Sequence, residues 1–213
     1  GGTLARNKDD YYQNNIFLQT DTADITRFDL VSGHITYERK TLDYKQYPTN
    51  GFHTLVQARY ITGKERHIPG TTAQEDNEFT ANHQWLSAKL IHENYLPLSE
   101  WYSLGSFFSL NISNKPLFHN HTSSLLTAPA FNPTPHSKTL FLKNFRANNY
   151  ASLGLRNIFN LTNSLHMRLE GYVFFPYQKI LRESGGFLPY YSEPMTYYHY
   201  AGDAALVYQS PVG

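Results

Sequence analysis

Apolar and polar residues alternate along most of this chain with a period of two. Over 165–175, Leu165, Met167, Leu169, Gly171, Val173 and Phe175 fall on one face, and His166, Arg168, Glu170, Tyr172 and Phe174 on the other. Successive side chains of a strand point to opposite faces, so this predicts a strand with one apolar side. Just upstream, Ala151, Leu153, Leu155 and Phe159 oppose Ser152, Gly154, Arg156 and Asn160. The polar Leu161-Thr162-Asn163-Ser164 between the two makes them a hairpin. Val31, Gly33, Ile35 and Tyr37 likewise alternate with Ser32, His34, Thr36 and Glu38. Phe52, Thr54, Val56, Ala58 and Tyr60 alternate with His53, Leu55, Gln57 and Arg59. Pro48-Thr49-Asn50-Gly51 supplies the turn that joins these two strands. Further strands are predicted around 83–95 and 100–112, on either side of Leu96-Pro97-Leu98-Ser99. A last one, around 197–209, sets Tyr198, Tyr200, Gly202, Ala204, Leu206 and Tyr208 against His199, Asp203 and Gln209. No stretch holds a helical period over three turns.

The connections alternate in length. Those near 48, 97 and 162 are short, whereas 63–80, 113–147 and 178–196 are long and polar or proline-bearing. This describes an up-and-down antiparallel sheet. One face carries Leu, Val, Phe and Ala, and the other carries Arg, Glu, Asp, His, Gln and Ser. The predicted strands run to about 10 residues or more, the length that crosses a bilayer at a tilt, against about 5–6 in a typical soluble sheet. Tyr44, Tyr47, Tyr60, Tyr95, Tyr102, Tyr177, Tyr197 and Tyr198 cluster at strand ends, where the aromatic girdles of membrane barrels sit. The predicted fold is therefore all-β, an up-and-down antiparallel transmembrane β-barrel in contact with a lipid bilayer. A soluble β-sandwich or lipocalin-like binding protein shares the alternation and is the alternative from another class.

Composition narrows the chemistry. The absence of cysteine excludes disulfides, thiolate metal sites and cysteine nucleophiles. A net charge of +1 gives no electrostatic reason to expect nucleic acid as a partner. Aromatic residues make up 15% of the chain, which argues against disorder. No run of 18 apolar residues exists to form a membrane-spanning helix. The chain opens on Gly1-Gly2-Thr3 and stops at Ser210-Pro211-Val212-Gly213, so residues 1–213 are expected to be one stretch of a barrel domain, truncated at both ends.

Two stretches carry a family resemblance. Tyr37-Glu38-Arg39-Lys40-Thr41-Leu42-Asp43 followed by Tyr47-Pro48-Thr49-Asn50-Gly51-Phe52 resembles a hairpin of the bacterial surface antigen barrels, the superfamily that includes the outer-membrane protein assembly factors. Pro133-Thr134-Pro135-His136-Ser137-Lys138-Thr139-Leu140-Phe141-Leu142, running into Asn144-Phe145-Arg146-Ala147-Asn148-Asn149-Tyr150, resembles the barrel that follows the catalytic domain in patatin-like phospholipases of Bacteroides-type bacteria. The closing Tyr208-Gln209-Ser210-Pro211-Val212-Gly213 is similar to the superfamily's penultimate turn. The resemblance implies a bacterial outer-membrane location and a sixteen-strand layout. This chain would supply about eight strands, roughly the seventh to the fourteenth, with short turns in the periplasm and 113–147 as the long sixth loop. It also implies a function: a barrel that anchors, and helps export, a lipid acyl hydrolase carried upstream in the same chain. The alternative within the superfamily is an assembly or secretion factor with periplasmic domains upstream.

The chain itself offers no catalytic centre by sequence. A patatin-type hydrolase needs a Gly-x-Ser-x-Gly elbow and a partner Asp, and Gly105-Ser106 lacks the other positions of that motif. No catalytic residue, cofactor or metal is assigned. His119-Asn120-His121 reads as a polar loop, His92-Glu93 lacks the second histidine of a zincin motif, and the sequons at Asn111 and Asn120 read as chance matches. Arg59, Lys89, Glu93, Arg156, Arg168, Glu170 and Asp203 fall on the polar face, and the plain expectation is that they solvate a wet lumen. Leu153, Leu155, Leu169 and Val173 are expected to point outward to lipid. In the superfamily a loop arginine meets an acidic residue on the thirteenth strand. By that resemblance Arg146 is expected to latch onto Glu170, where Gly171 leaves room for it, with Asp203 as the fallback partner. Ala147 departs from the superfamily's pattern, which has glycine after this arginine.

Overall fold

The period-two segments assemble into one antiparallel sheet. The structure, a computed structural model, describes residues 1–213 except 14, 15, 17, 74–76, 163, 185 and 210–213. Its strands are β1 (Gly2–Tyr11), β2 (Asp24–Lys40), β3 (Gly51–Ile68), β4 (Phe79–Ser99), β5 (Tyr102–Ser113), β6 (Tyr150–Asn160), β7 (Leu165–Pro176), β8 (Ile180–Arg182), β9 (Pro189–Tyr191) and β10 (His199–Tyr208). Eight of them form the sheet in the order β1-β2-β3-β4-β5-β6-β7-β10, and β8 and β9 make a small separate hairpin. Every pairing is antiparallel, so the short turns at 41–50, 100–101 and 161–164 share one end and the long connections share the other. The sheet does not close on itself; β1 and β10 are its edges. Asn163 and the closing Ser210-Pro211-Val212-Gly213 lie outside the described residues.

Three boundaries differ from those expected. Residues 63–80 are mostly strand: β3 runs on to Ile68 and β4 begins at Phe79, so the connection is only 69–78. Here Lys64 and Arg66 are exposed while Glu65 and His67 are buried, an alternation of polar with polar that hydrophobic periodicity does not register. β1 escapes for the same reason, and exists by its register with β2, from Gly2 opposite Gly33 to Tyr11 opposite Asp24. Leu96–Ser99 belongs to β4, and the turn falls at Glu100 and Trp101. Gly51 holds a φ of 93°, where an added Cβ would meet the Thr41 carbonyl oxygen at 2.3 Å, so the 41–50 turn requires glycine there.

One face of the sheet is bare and the other is covered. On the bare face Leu153, Leu155 and Leu169 are 54%, 58% and 43% exposed; on the covered face Arg156, Arg168 and Glu170 are 4%, 2% and 9% exposed. Val31, Ile35, Tyr37, Val56, Leu86, Ile112, Tyr200 and Leu206 continue the bare apolar face. Its exposed ion pairs, Arg6–Asp29, Lys8–Asp10 and Arg66–Glu78, stand toward the long-connection end.

The cover is the 114–149 segment, which carries the helix α1 (His121–Leu126). Asn120 starts that helix: its side-chain oxygen accepts from the Ser123 amide at 2.8 Å, satisfying one free N–H of the first turn. The segment packs on the sheet through two aromatic clusters. Phe118 joins Phe28, Ile61 and Trp85; Phe131 and Ala147 join Phe107, Tyr150, Tyr172 and Phe174. Phe131 stacks on Phe174 with centroids 5.4 Å apart.

Candidate functional site

Antiparallel register builds the charged centre of the covered face. One cross-strand row carries Tyr95, Gly105, Arg156, Glu170 and Asp203, and the next carries Glu93, Phe107, Gly154, Tyr172 and Ala201. The two glycines matter by close approach. A Cβ on Gly154 would lie 2.3 Å from the Tyr172 ring, and one on Gly105 would lie 3.0 Å from both Arg156 Cβ and the Tyr95 ring. Large side chains can therefore lie flat across these two positions. Gly171 plays no such part: it lies on the bare face with nothing within 4 Å of its would-be Cβ.

Arg156 is the hub. Its Nη1 donates to Glu93 Oε2 at 2.5 Å and to the Tyr95 hydroxyl, and its Nε donates to the Tyr172 hydroxyl at 2.8 Å. Its Nη2 donates to the Pro133 carbonyl of the cover at 3.0 Å, and its guanidinium lies over the Phe107 ring at 4.9 Å. Glu170 accepts from Arg168 Nε at 2.7 Å and from the Tyr172 hydroxyl, with Arg156 Nε at 3.6 Å. Arg168 in turn donates from Nη1 to the Pro48 carbonyl at 2.8 Å. Charges of alternating sign thus run Glu93–Arg156–Glu170–Arg168. Arg156, Glu170 and Arg168 are buried and Glu93 is partly buried. Burying a charge costs several kcal/mol unless it pairs and its remaining polar atoms are bonded, and here each has a counter-charge. The network holds two segments remote in sequence, the cover at Pro133 and the 41–50 turn at Pro48. These also meet each other, through Tyr47 Oη and His136 Nε2 at 2.9 Å. Tyr47 sits at φ 53°, a left-handed conformation unusual for a non-glycine residue.

The arginine expected to make the latch goes elsewhere. Arg146 does not meet Glu170 or Asp203: its Nη1 donates to the Leu126 and Ala128 carbonyls at 2.8 and 3.0 Å, and its guanidinium lies over the Phe141 ring at 4.7 Å. The reason is local. The backbone at Arg146 is extended and bridges to Ala130, while Ala147 is fully buried in the aromatic cluster. Alternation in extended chain then turns residue 146 away from the sheet. Burial lowers the Arg146 pKa, and Asp9 opposes that shift. The cover is fastened in the opposite sense, by a sheet arginine on a loop carbonyl. Asp203 stands beside Glu170 on edge strand β10.

The chain matches no family model, no curated protein and no solved structure. Its site is therefore read from geometry alone. His119, Asn120 and His121 form a tether: the His119 amide donates to buried Glu65 at 3.1 Å, and the Asn120 side chain donates to the Tyr11 hydroxyl at 2.5 Å. His119 stacks on Phe79 with centroids 3.8 Å apart, and Glu65 also receives His83 Nε2 at 2.6 Å. Among the described residues no three His, Cys, Asp or Glu side chains are grouped to hold a metal ion. A further tether is Lys115, whose Nζ donates to the Thr127 carbonyl at 2.8 Å and hydroxyl at 2.7 Å, over the rings of Phe118 and Trp85. Burial pushes its pKa down to about 7, against the pull of Glu65. No sequence signal marks Lys115, Tyr95 or Pro133 as partners, because their contacts are made across the fold. Between the charged network, the 41–50 turn and the cover lies a cavity of about 670 Å³.

Proposed function

We propose that this chain forms part of the wall of a bacterial outer-membrane β-barrel, with 114–149 as a plug on its lumen side, and that the barrel anchors a patatin-like lipid acyl hydrolase carried upstream in the same polypeptide. The observation that carries the first half is the inversion of burial: leucines bare, arginines and glutamates covered. In water a contiguous apolar face of this kind would mark an interaction surface, and the hydrophobic effect would drive it under cover. Against hydrocarbon the same face is the favourable one, and the polar face turns to a lumen. Strand length agrees. About 9–11 tilted residues cross a bilayer, and β2, β3 and β4, of 17, 18 and 21 residues, run on into the charged region that would stand in water beyond the headgroups. Edges β1 and β10 would be paired by further strands, since lipid cannot satisfy their free backbone groups. The second half rests on the resemblance of 133–150 to barrels of patatin-like phospholipases.

The chain has no cysteine, which makes the bilayer half directly testable. Single cysteines are placed at Leu153, Leu155 and Leu169 of the full polypeptide in native membranes, with any cysteine outside residues 1–213 replaced by serine. They should resist a water-soluble maleimide and become quenchable by lipid-borne spin labels when tagged with an environment-sensitive dye. A cysteine at exposed Lys64 should react freely. Equal aqueous reactivity at all four positions would reject the bilayer contact. A fluorophosphonate probe tests the hydrolase half, because it labels an activated serine; an unlabelled full polypeptide would remove that half alone.

A further inference from the structure

We infer that the cavity between the 41–50 turn, the cover and the charged network is a binding site for a small phosphate-bearing anion. The cavity, at about 670 Å³, is the size of a small-molecule site. Its wall carries six cationic side chains against two anionic ones, in a chain whose net charge is +1. The two anions are already used. Glu93 is held by Arg156, His53 and the Tyr95 hydroxyl, and Glu170 by Arg168 and the Tyr172 hydroxyl. That leaves Lys40, Lys45, Lys89 and Lys138 lining the cavity with no carboxylate paired to any of them among the described residues.

These lysines come from separate parts of the chain: the end of β2, the 41–50 turn, the middle of β4 and the cover. Surface lysines scattered at random have no reason to converge on one cavity. Lys89 is the informative one, because it stands on the covered face opposite Gln57 and Asn111, both neutral. Its diagonal neighbour Arg59 has a buried Nε with no hydrogen-bond partner. Two cations side by side on a covered wall without a counter-charge repel each other, and an anion relieves that repulsion. The type of cation selects the type of anion. The arginine forks that suit planar carboxylates are occupied by Glu93 and Glu170. The free groups are lysine ammoniums, compact point charges that suit the tetrahedral, multiply charged phosphate group. Neutral donors at the same wall, the Gln46 amide and the Thr134 hydroxyl, can add hydrogen bonds to it.

This inference does not depend on the bilayer, so it stands or falls apart from the proposed function. Its test is a calorimetric titration of the full polypeptide in neutral-detergent micelles with pyrophosphate and, separately, with glycerol 1-phosphate as a lipid-headgroup probe. At least one of the two should bind, and the tighter one assigns the source as soluble phosphate or lipid headgroup. Lys89→Gln and Lys138→Gln should each weaken that binding at least tenfold, while Lys64→Gln, on the bare face, should leave it unchanged. Lys138 is exposed, so its variant reports on the site without endangering the fold. Absence of binding by the wild-type protein would overturn the site. So would a loss in Lys64→Gln as large as that in Lys138→Gln, since only general surface charge would then be at work.

Discussion

At the scale of single residues, Arg156 does more than its place on a polar face suggests. It touches Glu93, Tyr172 and the Pro133 carbonyl of the cover together. Its removal leaves Glu93 and Glu170 covered with their counter-charge diminished. Arg156→Met should therefore destabilise the docked state by about 3–5 kcal/mol. Arg146→Met forfeits bonds to two loop carbonyls and the contact over Phe141 but removes no direct partner of a buried carboxylate, so its cost should be smaller, about 1–3 kcal/mol. Denaturant unfolding of both variants checks the order, and an equal or greater loss at Arg146 would contradict the assignment of the hub. Gly154→Val is a second residue-scale test. The new side chain must displace the Tyr172 ring that now lies 2.3 Å from its Cβ position, and with it the hydroxyl that ties Arg156 to Glu170. Near-ultraviolet circular dichroism should report a changed tyrosine environment, and an unaltered spectrum would count against that packing.

At the scale of elements, the 114–149 cover has its own linkage to pH. Lys115 has a pKa of about 7 when docked because it is buried between Phe118, Trp85 and Thr127. Undocked and in water, a lysine stays protonated to about pH 10.4. Between those values the undocked form holds a proton that the docked form has released. Docking therefore strengthens as pH rises from about 7 toward 10, and it is weakest below that window, where the buried ammonium stays charged. Trp85 fluorescence in a Trp101→Phe background should follow the change, and Lys115→Met should flatten it. A pH response that survives Lys115→Met would place the titrating group elsewhere. The cover's apolar anchor is Phe131, buried against Phe107, Tyr150, Tyr172 and Phe174. Phe131→Ala should cost about 3–5 kcal/mol of docking and open 130–138 to proteolysis.

At the scale of the whole molecule, the two faces of the sheet make opposite demands on any substitution. If the bare face meets lipid as proposed, Leu169→Arg near the midplane should cost about 2–4 kcal/mol of folding free energy in a bilayer. The same change in a soluble sheet would cost little, because Leu169 is 43% exposed. Folding measured in vesicles separates the two cases. The open edges set a second condition. β1 and β10 each present an unpaired row of backbone groups, so an isolated 1–213 chain should associate edge to edge. Edge pairing should appear as concentration-dependent oligomers in light scattering.

The sequence alone determined the strands and their facing wherever the alternation was apolar against polar. The 151–160 and 165–175 hairpin, the order of neighbours and the grouping of short turns at one end were all legible, because a period of two fixes which side each residue takes. It missed β1 and the extension of β3 to Ile68, where polar residues occupy both faces and only the register defines the strand. Tertiary structure alone decided the partners on the covered face. The resemblance points Arg146 at Glu170, yet burial of Ala147 turns its side chain away, and Arg156 holds the cover at Pro133 instead. Tyr95, Gly105 and Arg156 become neighbours only through the registers of β4, β5 and β6. A charged side chain can choose any opposite charge or carbonyl within reach, and reach is set by register and packing rather than by sequence spacing.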